Sequence, residues 1–403
     1  SRPTSAPSAG ATSPAARRVH VQTAMRVRLP IAVGCPLALL ASSVPGQTVH
    51  RVGPGHLATI QAAVDAAAPK DVVLVAAGAY PGFVVGKPLT ITAEPGAFVQ
   101  VVAAAPMSIA LGPADRVHLA GLDIEAPQLT LTGGMTSMER CTLRTATGAR
   151  CVDSIVARRW SAALAAAASA VRVQDSYLHA SEGVFATAAG GGAGVEHGAI
   201  EVVGAGRASL SDCGLFGGWP ATAPHPSAAL HVAAVAATSA RVWLVDCTLV
   251  GGFHPLTAAV GAAVQAPPAS QPAPVRLHRA TTIGALDGAV AFGHVIGVRT
   301  SVDMRIGAPF TTTMTGDPGD WHVFYGAAEI VGPAQIPVVE QPALGFLGAA
   351  IFDLRIGDAQ GNADFTFTVP HDPQVRHATA WWRGVDIRVL PWQATPAFVT
   401  VVQ

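Results

Sequence analysis

The sequence predicts an all-β chain: a right-handed parallel β-helix with an N-terminal capping helix, followed by a small antiparallel β-sandwich. Three observations carry that expectation. The first is a six-residue phrase that recurs through the middle of the chain: LAGLDI (119–124), MERCTL (138–143), CVDSIV (151–156), VQDSYL (173–178), LSDCGL (210–215) and LVDCTL (244–249). Each copy opens on an apolar residue, usually carries a small or thiol-bearing residue in fourth place, and closes on an aliphatic. Repetition at this length marks a solenoid, in which each unit buries its apolar edge only by stacking on its neighbours. The second is composition. Of 403 residues, 42 are Gly and 31 Pro, half are hydrophobic and only 6 % aromatic, which suits stacked strands with many turns better than a helical bundle. The third is a change of rhythm from about residue 301 to longer alternating strands. It is clearest in NADFTFTVP (362–370), where Phe365, Phe367 and Val369 share one face.

Taken in order, residues 1–24 are rich in Ser, Ala, Pro and Arg without an apolar period, and read as disordered or untranslated. Residues 25–46 open on Met25 with Arg26 and Arg28, continue through an apolar run over 29–41, and end in small residues. That is the pattern of a signal peptide cleaved before Gln47, so the chain is expected to be secreted, periplasmic or at the cell surface. The run around Cys35 is too short for a lipoprotein signal, and no later run reaches the roughly twenty apolar residues of a transmembrane span. Residues 47–263 are assigned to the β-helix, 264–300 to a Pro-rich linker or transition around APPASQPAP (266–274), and 301–403 to the sandwich. With 25 basic and 25 acidic residues the net charge is zero, which argues against a nucleic-acid partner.

The mature chain opens on LATIQAAVDAA (57–67), where Ile60, Val64 and Ala67 recur at helical spacing. Thr59 is placed to cap this helix and Pro69 to stop it. A helix over the open end of a strand stack shields its unpaired backbone groups. Strands DVVLV (71–75), FVV (83–85) and LTIT (89–92) follow, separated by Gly and Pro. This stretch resembles the N-terminal cap and first coil of the pectin lyase-like superfamily, which includes pectin methylesterases and many bacterial β-helix proteins. The resemblance covers 57–92 closely and the coils to about 250 as a pattern. It implies the fold, and it implies no single activity, because lyases, hydrolases, esterases and non-enzymes share that cap. The C-terminal region likewise resembles modules appended to large exported proteins of planctomycete-type bacteria.

The fourth slot of the phrase, Leu122, Cys141, Ser154, Ser176, Cys213 and Cys247, is expected to form a structural ladder along one inner row. Its steps are 19, 13, 22, 37 and 34 residues. Three short strands with turns need about twenty residues, so the short step implies a clipped turn or one misassigned copy, and the long steps imply inserted loops. Small buried thiols are the expected role of the cysteines, with a Cys213–Cys247 bridge between stacked coils as the alternative.

Chemistry is harder to place. VQDSYL resembles the Gln-Asp-Thr-Leu-Tyr motif of pectin methylesterases, yet no Asp-Phe-Ile-Phe-Gly segment follows it. Asp175 also shares its slot with Asp153, Asp212 and Asp246, a corner position that suits Asp. Glycoside hydrolysis needs two facing carboxyls. Asp123 and Glu125 with Glu139 are one candidate group. Glu182, Glu196, His197 and Glu201, flanking the Gly-rich 188–194 stretch, are the candidate catalytic set, with polar surface residues as the plain alternative. Trp219, His225 and Trp243 are the candidate ligand-binding residues, since indole faces stack on sugar rings. Trp381 and Trp382 read as half core and half rim. The fourteen His show no zinc spacing and no dense acidic cluster indicates Ca²⁺, so no cofactor or metal is expected. The expected function is an exported, non-catalytic β-helix that binds or scaffolds at the cell surface, with polysaccharide as ligand. The alternatives are a polysaccharide-active enzyme of pectate-lyase or pectin-esterase type, and a structural surface component.

Overall fold

Runs of four or five residues with alternating aliphatic side chains, such as Leu129–Thr132 and Val171–Gln174, form strands that send successive residues to opposite faces. In the computed structural model these strands stack in parallel into three sheets. The structure describes residues 47–403 except 167, 188–197, 219–225, 234–239, 255–256, 268–273, 301–302, 328, 335–342, 348–349, 373–375, 377 and 389. The first sheet has eleven strands, from Val49–Val52 to Val290–Phe292; the second has nine, from Gly78–Pro81 to Thr281–Ile283; the third has nine, from Val84–Val85 to Leu286–Asp287. The chain visits the sheets cyclically, one strand each per coil. That is a parallel β-helix. The disordered or untranslated segment assigned to 1–24 and the signal peptide assigned to 25–46 lie outside the described residues.

The interior is built of rows that run from coil to coil. In the first sheet one row reads Val73, Ile91, Leu119, Met138, Arg158, Ala180, Leu210, Leu244 and Leu277. The second contributes Val101, Ile124, Leu143, Ala163, Phe185, Leu215 and Leu249. The third contributes Val85, Ile109, Leu131, Cys151, Val173, Val202 and Val232. Apart from Arg158 these residues belong to one continuous apolar core. The predicted helix forms over Ile60–Ala66 and covers the start of the stack with Ile60, Ala63 and Val64. The Thr59 hydroxyl caps it by accepting from the Ala62 amide at 3.1 Å.

The recurring phrase turns out to mark corners, and it marks two of them. Gly121, Arg140, Trp160, Glu182, Asp212, Asp246 and Arg279, all with φ between 47° and 69° or equal to one of those limits, turn the chain from the first sheet into the second. Leu122, Cys141, Cys213 and Cys247 each follow such a residue. Asp153 and Asp175, equally left-handed, turn it from the third sheet into the first, and Ser154 and Ser176 follow them. The predicted single ladder is therefore two rows, and the 13-residue step joins different corners. Ser161 fills the missing place in the first row: its hydroxyl bonds the Cys141 amide at 3.2 Å and the Met138 carbonyl at 3.3 Å. The slot favours small donors because thiol or hydroxyl reaches a carbonyl of the preceding coil, as Cys141 Sγ does at Leu119 O (3.5 Å). Among the described residues, Cys141, Cys151, Cys213 and Cys247 are buried free thiols. Asp212→Gly is expected to be nearly neutral, whereas Asp212→Val should cost about 1–2 kcal/mol by urea unfolding, because a β-branched residue resists the left-handed backbone.

The expected linker over 264–300 is corrected by the structure. Strands Val264–Gln265, Val275–His278, Thr281–Ile283, Leu286–Asp287 and Val290–Phe292 continue the stack, with Val264, Val275 and Leu277 fully buried. The Pro-rich text is an insertion between two rungs, not a domain boundary.

Beyond Phe292 the strands become antiparallel. Gly297–Thr300, Pro309–Thr315 and Asn362–Thr368 form one sheet. Ala350–Ile356, Trp321–Ala327, Thr379–Asp386, Gln393–Ala394 and Phe398–Val401 form a second, and Glu329–Ala334 pairs with Ala343–Leu347 as a two-stranded third. Phe310, Phe324, Phe365, Trp382 and Phe398 fill the space between the first two. Trp381 points the other way and packs with Ala397 and Val399 onto Met135, Ile155 and Ala157 on the outer face of the first β-helix sheet. The left-handed corner residues complete this docking. Arg140 binds Asp303, Glu182 accepts from the Thr300 amide (3.1 Å), Asp246 accepts from the Thr315 hydroxyl (3.0 Å), and Arg279 reaches the Gly316 carbonyl (3.1 Å).

Candidate functional site

The carboxylates singled out from the sequence do not converge. Glu182 is occupied at the corner by Thr300. Burial raises its carboxyl above the ordinary value, and the Thr300 amide and the Arg159 charge work against that. Glu201 is buried on the third sheet, next to Arg172 (3.7 Å) and the Ser169 hydroxyl (3.4 Å). Glu196 and His197 lie outside the described residues, as do Trp219 and His225. Asp123 pairs with Arg144 on the second sheet and Glu125 stands exposed. Glu139 is buried beneath the sandwich, 3.6 Å from Arg159. Trp243 is only 4 % exposed, under Val295, so its indole face is closed to a sugar.

Two other constellations stand where the sandwich meets the coils. One is a cleft of about 820 Å³ beside the first coils, walled by Arg51, Arg140, Arg305 and Arg376 against Glu94 and Asp303. Arg51 pairs with Glu94 at 3.1 Å, and Arg140 and Arg305 share Asp303 at 2.9 and 3.5 Å. Arg376 has no ion pair among the described residues. Four guanidinium groups against two carboxylates leave the walls cationic. Long, largely exposed arginines hold a field that salt screens, so the attraction belongs to low and moderate ionic strength.

The other constellation is a histidine–aspartate cluster at the far end of the junction. His278 ends a first-sheet strand and His294 lies between the last coil and the sandwich. Asp317 and Asp320 sit in the turn between Pro309–Thr315 and Trp321–Ala327, and Asp386 closes Thr379–Asp386. His294 Nδ1 is 3.0 Å from Asp317 Oδ2; its Nε2 is 2.9 Å from Asp386 Oδ2 and 3.5 Å from Asp320 Oδ2. Asp386 Oδ1 accepts from the Trp321 and Arg388 amides at 3.1 and 3.0 Å, and Asp320 Oδ1 accepts from the Arg388 guanidinium at 3.1 Å. Burial pushes Asp320 up. It also works to raise Asp386, but the His294 bond and the two amides bring that carboxyl below its ordinary value. Burial likewise opposes protonation of His294, and the Asp386 hydrogen bond with the surrounding carboxylates outweighs it. Either triplet, His278–His294–Asp317 or His294–Asp320–Asp386, has one ligand atom per residue within 4.8 Å of the others. The sequence reading missed the cluster because its five members come from four separate strand ends and turns. The one local signal, Asp317 and Asp320 around a Pro-Gly turn, reads as ordinary turn chemistry.

The fold and these sites define a parallel β-helix with an appended antiparallel module and a polar seam between them. No family model, curated protein or solved structure matches the chain.

Proposed function

We propose that the chain is an exported member of the pectin lyase-like β-helix proteins, and that it binds an anionic polysaccharide without cleaving it. The observation that carries this reading is the arginine-walled cleft. Guanidinium forks match carboxylates in two parallel hydrogen bonds, and a uronate polymer presents such carboxylates at regular intervals along one chain. Glu182, Glu201 and Glu139 stand apart on different faces, and the close pair Asp123 and Glu125 on one strand flanks Arg144, which favours binding over hydrolysis, where two carboxyls must flank one bond.

Calorimetric titration with polygalacturonate, alginate and neutral dextran tests the reading. Binding of an acidic polymer that weakens with added salt is expected, with no heat from dextran. The double variant Arg305→Ser/Arg376→Ser should lose at least about tenfold in affinity, since a charged hydrogen bond is worth roughly 1.5–3 kcal/mol. Absence of binding to every acidic polymer would reject the proposal. Release of unsaturated uronides by the same sample would move the assignment to the lyase alternative.

A further inference from the structure

We propose that the histidine–aspartate cluster is a binding site for a divalent transition metal of the zinc class, held by His294 Nε2, Asp320 Oδ2 and Asp386 Oδ2, with solvent in the fourth position. It fastens the last coil to the sandwich.

The spacing fits such an ion. Four ligands at about 2.0–2.1 Å from a tetrahedral centre lie roughly 3.4 Å apart. The contacts from His294 Nε2 to the two carboxylates, 2.9 and 3.5 Å, bracket that separation. The outer contacts fit as well. Asp317 faces His294 Nδ1 at 3.0 Å, and a carboxylate that takes the proton on Nδ1 leaves the lone pair on Nε2 directed at Asp320 and Asp386. This carboxylate–histidine relay orients metal-bound imidazoles generally. The backbone amides and Arg388 that hold Asp386 and Asp320 fix both carboxylates on the same side.

His322 walls the site on the sandwich side. Its side chain is fully buried and stands directly across the strand pair from Asp386, on the same inward face. Its ring borders Asp320: a Cβ added to Gly316 would lie 2.5 Å from Asp320 Oδ2 and 3.0 Å from His322 Cε1. The donor set of imidazole nitrogen and carboxylate oxygen suits zinc better than calcium or magnesium, which favour all-oxygen shells. Asp317, about half exposed, opens the site to solvent.

The test uses the full chain, dialysed against chelator and titrated with zinc chloride by calorimetry, with the thermal midpoint followed in parallel. One zinc per chain and a raised midpoint are expected, and magnesium should give neither. His294→Ala should weaken zinc binding at least about 100-fold. Asp317→Asn, which removes only the orienting carboxylate, should weaken it about 10–100-fold. Asp386→Asn should also weaken it, and circular dichroism checks that each variant is folded. A folded wild type that takes up no zinc would overturn the proposal. So would zinc uptake that His294→Ala and Asp386→Asn leave unchanged. In that outcome the cluster is an ion-paired histidine holding two domains together.

Discussion

Replacing Arg158 with methionine is expected to stabilise the protein by about 1–4 kcal/mol, the gain seen when a buried charge gives way to a well-packed apolar residue. Arg158 interrupts the aliphatic row that runs from Val73 to Leu277, pointing into the β-helix between Met138 and Ala180. It is 2 % exposed, and no carboxylate pairs with it among the described residues. Nη2 donates to the Ala162 carbonyl at 2.9 Å, Nε has no partner, and the guanidinium lies 5.4 Å from the centre of the Phe185 ring. Burial lowers its proton affinity, and the groups whose fields oppose this are the thiols of Cys141, Cys151 and Cys213. Burial pushes Cys141 to about 11 and Cys151 to about 12, so near neutrality these neighbours carry no charge to offset the arginine. Methionine has similar length and fills irregular space. Arg158→Ala removes the same charge but leaves a void beside Ala180, so it should gain less. Urea unfolding of the two variants checks both statements. A methionine variant less stable than the parent would contradict them.

The second large effect is a loss of stability in acid that traces to His179. This residue faces outward from the first sheet, between Ala157 and Ser209 and beneath the sandwich; it is 2 % exposed, and neither nitrogen has a hydrogen-bond partner among the described residues. Burial, helped by the Arg383 charge, depresses its pKa from 6.5 to about 3. Between those values the unfolded chain binds the proton and the folded chain does not. Stability is therefore full above the unfolded value and falls as pH drops through the window, by up to about 1.4 kcal/mol per pH unit. His179→Gln should flatten the dependence of the urea midpoint between pH 6 and 4 by about that slope. An unchanged slope would show that His179 is not the group responsible. His118 is also depressed to about 3, first by burial and then by Arg140. Glu139 Oε2 lies 3.9 Å from its Nε2 and offers the charged form a partner, so its share should be smaller.

The parallel coils were readable because their physics is local and repeated. An apolar residue, a left-handed corner and a small donor recur wherever the chain leaves a strand, and each copy is visible in the text. What repetition could not reveal was which corner a copy occupied. Asp153 and Asp212 look alike in sequence because both satisfy the same left-handed backbone at different corners of the coil. Trp160 and Glu182 perform the same turn without resembling Asp, so the phrase marks their coils at the other corner, through Asp153 and Asp175. The Pro-rich stretch near residue 270 misled for a related reason: its composition reads as a linker, yet the strands before and after it, Val264–Gln265 and Val275–His278, belong to the same stack. The histidine–aspartate cluster was out of reach altogether. Residues 278, 294, 317, 320 and 386 meet only because the sandwich folds back on the coils, and nothing local encodes that return.

The corner from first to second sheet stays tight in every coil from Gly121 onward, because its single left-handed residue is wedged against the sandwich at Arg140, Glu182, Asp246 and Arg279. Added length has gone instead to the two corners that flank the third sheet, as between Val184–Thr187 and Ile200–Val203 and between Val264–Gln265 and Val275–His278. Those two edges are where foreign peptides can be grafted without prising the modules apart. The same asymmetry tells natural variation where to accumulate: new surface grows on one flank of the molecule while the seam stays fixed.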